Sequence, residues 1–159
     1  MERVKVAFFD IGDTLGKVRL SAAGNQIQQL DVFSYVPDVL QQMAGADVRL
    51  GIISNRGNVP EENVRQVLEL NNIYHYFEPA LIIYGSKDSV EIFIEAATTA
   101  GHAENRKPCL FVGENPGERD YAAAAGLRVA KHPVEASTIV QSSNIRNDLP
   151  NSFLPLTKR

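Results

Sequence analysis

The chain of 159 residues carries a formal charge of -3 and a sequence pI near 5.6, with its Lys and Arg residues scattered, so it has no electrostatic footprint for general nucleic-acid binding. Its length predicts one domain, residues 1–159, that buries roughly 70% of its unfolded surface without a staple. The charged start Met1-Glu2-Arg3-Val4-Lys5 lacks the apolar stretch of a signal peptide, and no segment approaches the roughly 18 apolar residues of a membrane span; a soluble cytoplasmic protein with no membrane partner is expected.

The first predicted strand, residues 4–9, ends on Asp10 and the sharp turn Ile11-Gly12-Asp13-Thr14. Residues 15–32 alternate apolar and polar around Ala22-Ala23-Gly24-Asn25, a hairpin signature that predicts a flap over the end of that strand. A helix over 37–43 opens with proline, and a second strand over 48–53 ends on Ser54. The next helix, 60–70, has Glu61 and Glu62 in its first turn and Val64, Val67, Leu68 and Leu70 as its apolar face. A third strand over 81–84 leads through Gly85-Ser86-Lys87-Asp88 into a helix over 89–100, with Val90, Ile92, Phe93, Ile94 and Ala96 to pack and Gly101 as its stop. Cys109, the one cysteine, opens the apolar run of the fourth strand, 110–112, and reads as a small core residue. An Ala-rich helix over 116–125 and a short strand over 127–130 follow. From about Pro133 the chain turns polar and poorly periodic; Phe153 and Leu154 are expected to anchor this tail on the core or on a neighbouring chain, which leaves a homo-oligomer open.

Alternating strands and helices of this kind argue for an α/β fold, a three-layer Rossmann-like parallel sheet covered on both faces. In such a sheet all strand C-termini open into one crevice, so Asp10, Ser54, Lys87 and Glu114 converge although they are far apart in sequence. A carboxylate nucleophile, a hydroxyl with a helix N-terminus for phosphate oxygens, a cation for developing charge and a second carboxylate for Mg²⁺ are what phosphoryl transfer through an aspartyl phosphate requires. Arg56 is a further candidate for gripping an anionic substrate. His75, His102 and His132 share no spacing that predicts metal ligation.

With those four strand ends in order, the chain resembles the haloacid dehalogenase-like superfamily over roughly residues 4–130. Asp10-Ile11-Gly12-Asp13-Thr14 looks like its first motif, Ser54-Asn55 like its second, Lys87 like its third and Gly113-Glu114-Asn115-Pro116-Gly117-Glu118 like its acidic fourth. The resemblance implies Asp10 as nucleophile, Thr14, Ser54, Asn55, Arg56 and Lys87 around the phosphate, and Asp10, the Gly12 carbonyl, Glu114 and Glu118 around Mg²⁺. Glu stands where Asp is more usual at both positions of the fourth motif.

Gly12 departs from the pattern more sharply. The superfamily commonly has there a second Asp that protonates the leaving group and activates water, worth about 10²- to 10⁴-fold. Glycine keeps the carbonyl and loses the acid. Three readings follow: a slow Mg²⁺-dependent phosphatase acting on a phosphorylated small molecule or macromolecule; a catalytically inactive module that binds a phosphorylated ligand or a protein; and, weaker, a haloacid dehalogenase. The spacing between motifs leaves no room for a cap domain, which counts against the last.

Overall fold

The computed structural model describes residues 2–148. Five parallel strands, β1 (Val6–Phe9), β4 (Arg49–Ser54), β5 (Ile82–Tyr84), β6 (Cys109–Val112) and β7 (Arg128–Ala130), form a sheet in the order β5-β4-β1-β6-β7. A separate antiparallel hairpin joins β2 (Gly16–Leu20) to β3 (Ile27–Val32). Because β1 is central, with β4 on one side and β6 on the other, the strand order switches direction at its C-terminal end, where crevices open in doubly wound sheets. Asp10 sits at that end.

Alternation along the strands feeds two cores. Ala7 and Phe9 of β1, with Leu50, Ile52, Leu110 and Val112, pack on one face against α1 (Val36–Gly45), α2 (Glu61–Leu70) and α5 (Pro133–Asp148). Val6 and Phe8, with Ile53, Cys109 and Phe111, pack on the other against α3 (Glu91–Thr99) and α4 (Pro116–Ala124). The expected three-layer architecture is therefore present, hairpin included, and Cys109 is fully buried.

Two expectations are corrected. Leu70 does not belong to the apolar face of α2: it is 81% exposed. At 3.6 residues per turn it lies roughly 110° from the centre of the stripe formed by Val64, Val67 and Leu68. The polar tail begins with a helix, α5, whose buried positions Ala136, Ser137, Val140, Ser143 and Asn144 do have helical spacing but are small or polar. Ser143 Oγ accepts from Val4 N at 3.3 Å, and Asn144 Nδ2 donates to Ala46 O at 3.4 Å, so side-chain hydrogen bonds do much of the docking that apolar residues do elsewhere. The expected anchors Phe153 and Leu154 lie outside the described residues.

Candidate active site

The crevice at the C-terminal end of β1 is a cavity of about 440 Å³ lined by Asp10, Gly12, Ser54, Asn55, Arg56, Lys87 and Glu118, with the flap and α2 closing its other side. Three of the expected strand-end residues, Asp10, Ser54 and Lys87, thus line one cavity, and the fourth segment enters it through Glu118 while Glu114 stays outside the lining. The focus is Lys87. Its side chain is 4% exposed, and Nζ donates to Asp10 Oδ1 at 2.6 Å and to Ile53 O at 3.1 Å. A buried ammonium is tolerated only when it is paired and hydrogen-bonded, and here the carboxylate at the end of β1 and a carbonyl from β4 meet both needs.

Glu118 supplies a second acid, 3.2 Å from Lys87 Nζ through Oε1. That oxygen is buried, and the Lys87 ammonium is its close partner. Burial pushes the Glu118 carboxyl above its ordinary range; Lys87 opposes the shift, and Asp10 and Glu114 add to it. The carboxylate is placed by its helix: Asn115 caps α4 by accepting Glu118 N at 3.0 Å, with Pro116 next in the first turn. Glu114 is exposed at the start of the same loop. Gly113 leaves room between them, since a Cβ there would stand 2.7 Å from the Phe111 ring and 3.7 Å from Asp10 Cβ.

The remaining residues divide. Ser54 is 9% exposed and lines the cavity, but α2 starts at Glu61, so the helix N-terminus expected beside the hydroxyl is displaced by the loop 55–60. Asn55 Oδ1 accepts from Gly57 N at 3.1 Å and so shapes that loop, which turns at Gly57 with φ of 55°. Arg56 lines the cavity, yet Nη1 donates to Val59 O at 2.8 Å and the guanidinium stands 5.4 Å from the Tyr84 ring centroid. Thr14 is buried and away from the cavity lining; its Oγ1 accepts from Glu114 N at 3.2 Å and ties the first loop to the fourth.

Gly12 lines the cavity without a side chain. Its φ is not in the left-handed range, and a Cβ built on it meets only Val18 Cγ2, at 3.9 Å. Asp13, the nearest alternative acid, takes φ of 60° and pairs with Lys17 at 2.7 Å on the solvent side, with both side chains more than half exposed. Several contributors were not anticipated: the Ile53 carbonyl, the Asn115 cap, and an apolar wall from Val18, Leu20, Ile27, Val59 and Val64. The Asn115-Pro116 pair carried a cap signature in the sequence; the wall carried none, because it is assembled from three segments.

The sequence matches no protein-family model and no curated protein. Solved structures do match. A haloacid dehalogenase-superfamily hydrolase from Ehrlichia chaffeensis aligns at TM-score 0.68 and 15% identity over 90% of this chain and 98% of its own. The cobalt-bound deoxy-D-mannose-octulosonate 8-phosphate phosphatase from Haemophilus influenzae aligns at TM-score 0.63 and 14% identity, over 96% and 98%. The D,D-heptose 1,7-bisphosphate phosphatase from B. bronchiseptica, complexed with magnesium and phosphate, aligns at TM-score 0.61 and 12% identity, over 87% and 98%. The chain has the haloacid dehalogenase-like fold.

Its haloacid dehalogenase-like core is capless among the described residues, since the hairpin and α1 separate β1 from β4, and α2 with two short 3-10 turns separates β4 from β5. No helix there is long and apolar enough to cross a membrane. Nor do three His, Cys, Asp or Glu side chains there come close enough to form a metal cage by themselves. The acid side chains that line this crevice of the haloacid dehalogenase-like core are Asp10 and Glu118, both oxygen donors. That chemistry fits Mg²⁺, which prefers one or two carboxylates plus waters and a phosphate to an all-protein cage.

Proposed function

We propose that the crevice is the active site of a Mg²⁺-dependent phosphatase that works through an aspartyl phosphate on Asp10. The observation that carries this reading is the Lys87 ammonium, 4% exposed, held 2.6 Å from Asp10 at the end of the central strand and opening on a cavity lined by Ser54. Asp10 attacks phosphorus; Lys87 orients it and neutralises charge on the equatorial phosphate oxygens; Ser54 and the loop at Asn55 donate to those oxygens. Asp10, the Gly12 carbonyl, Glu118 and Glu114 would hold Mg²⁺, which would supply charge neutralisation for the transferring group. Thr14 and Arg56 act in this reading as braces of the two loops. Helix α5 and the flap belong to the same single domain.

The proposed substrates are phosphate monoesters whose leaving groups need little protonation. With purified protein and Mg²⁺, p-nitrophenyl phosphate should be hydrolysed, alkyl phosphates should turn over far more slowly, and Asp10→Asn should lower the p-nitrophenyl phosphate rate by at least about 10³-fold. Equal rates for Asp10→Asn and the unaltered protein would overturn the assignment. A second reading, phospho-ligand binding without turnover, is favoured by the missing side chain at Gly12 and by the Asp13–Lys17 pair that holds the neighbouring acid outside. It predicts phosphate affinity with no hydrolysis of either ester.

A further inference from the structure

The cavity has two halves of different chemistry. One is the charged end at Asp10, Lys87 and Glu118; the other is the wall of Val18, Leu20, Ile27, Val59 and Val64. Val59 and Val64 are core residues, 4% and 1% exposed, whereas Val18 and Leu20 are 36% and 48% exposed on the flap. Val18, Leu20 and Ile27 line the cavity together, and a contiguous apolar face in a groove is where the apolar part of a ligand binds.

The flap is built to present that face. Val18 lies opposite Leu30, so both point to one side of the hairpin. Ile27 is three residues before Leu30 and in a regular strand would point to the other side. The register shift between Arg19 and Leu20 leaves Gln28 as an extra residue and sets Ile27 opposite Leu20, on the apolar side. Helix α2 then fastens the strand at that residue: Ile27 N donates to Asn63 Oδ1 at 2.6 Å, and Asn63 Nδ2 donates to Ile27 O at 3.4 Å. Bulge and clamp together fix an apolar wall over the cavity. At its inner end, Val18 Cγ2 is the nearest atom to the space that a side chain at position 12 would fill.

We propose that the substrate is a small aryl phosphate monoester, with its ring seated between the flap and the Val59–Val64 wall and its phosphate at Asp10. This rests on the phosphatase reading and names its substrate class. The chemistry is consistent with Gly12. An Asp10 oxygen forms a bond to phosphorus, the bond from phosphorus to the aryl oxygen breaks, and the electron pair leaves on a phenolate that takes its proton from solvent. Phenols have pKa values near 10, like tyrosine, so no acid at position 12 is required for departure. A water oxygen then bonds to phosphorus, the bond from phosphorus to the Asp10 oxygen breaks to return the carboxylate, and the water's protons leave on dihydrogen phosphate, a step that runs without a base at position 12. The apolar wall replaces what a polar substrate would need there.

Binding of non-hydrolysable ligands tests this independently of turnover. Calorimetric titration with inorganic phosphate, methylphosphonate and phenylphosphonate, in Mg²⁺ buffer, should give phenylphosphonate an affinity about tenfold or more above methylphosphonate. Leu20→Ser changes a half-exposed flap residue and should cut that ratio at least about threefold; Asn63→Ala, which frees the flap from α2, should cut it similarly. Equal affinities of the two phosphonates, with inorganic phosphate bound, would overturn the substrate class and leave the phosphatase reading standing. A preference undiminished by Leu20→Ser would overturn it too, because the ring would then sit elsewhere. Failure of all three ligands to bind would overturn the phosphatase reading, and the aryl proposal with it.

Discussion

The two ends of the sheet are built from the same strands and use polar groups in opposite ways. At the amino ends, charges and dipoles tie segments together: Arg49 pairs with Glu78 at 2.9 Å and donates through Nη1 to Ala100 O, and Val4 N is capped by Ser143. At the carboxyl ends, Lys87 is buried between the carboxylates of Asp10 and Glu118, and Asp13 holds a left-handed backbone. A buried charge shared between opposite charges in a crevice marks where chemistry can happen. The amino ends also leave a buried polar atom, Arg128 Nη1, without a hydrogen bond, so what sets the site apart is the Lys87 ammonium held between Asp10 and Glu118.

Three changes break or sharpen that contrast. Gly12→Asp is expected to have the largest effect. The position accepts a Cβ with only an ordinary contact to Val18, so the variant should fold, and its carboxyl should raise the hydrolysis rate of alkyl phosphates by about 10²- to 10⁴-fold in a steady-state assay. An unchanged rate would mean that something other than the missing acid limits turnover.

Lys87→Ala comes next. It leaves Asp10 and Glu118 facing one another without the ammonium, and denaturant unfolding should show a loss of about 3 kcal/mol, the lower end for a broken buried pair because Asp10 keeps some solvent contact. Lys87→Ala, Glu118→Gln together should recover part of it.

Cys109 provides the smallest effect and belongs to the other end of the sheet. Burial pushes its thiol from 9.0 up to about 11. The folded state therefore holds a proton that the unfolded chain releases above pH 9.0; this contribution is fully present below that pH and fades as pH rises towards about 11. The loss should be on the order of 2–3 kcal/mol at most. Cys109→Ala should remove that alkaline slope, and unfolding curves at several pH values would show whether it does.

Much of the fold was legible because apolar runs and helix signals alternate, and the convergence of Asp10, Ser54 and Lys87 follows from parallel topology; of the acids of the fourth motif it is Glu118, carried in by α4, and not the strand-end Glu114 that lines the cavity. Helix α5 was illegible because Ser143 and Asn144 occupy its buried face, and a pattern of apolar residues is blind to a face that docks by hydrogen bonds. Leu70 misled for the converse reason, being apolar but off the stripe. Within the site, the burial of Lys87 and the separate tasks of Thr14 and Arg56 depend on how loops pack. The flap as an element could be read from residues 15–32, but not the bulge that turns Ile27 inwards, since one extra residue leaves the composition unchanged and reverses a face.

The central claim is that Asp10 is the atom-donating nucleophile of a phosphoryl-transfer site. The most direct measurement is fluorine NMR of the protein with Mg²⁺ and beryllofluoride, a mimic of the phosphorylated carboxylate. A protein-bound resonance that is present in the unaltered chain and absent in Asp10→Asn is the predicted result; a resonance that persists in Asp10→Asn, or none in the unaltered chain at saturation, would contradict it.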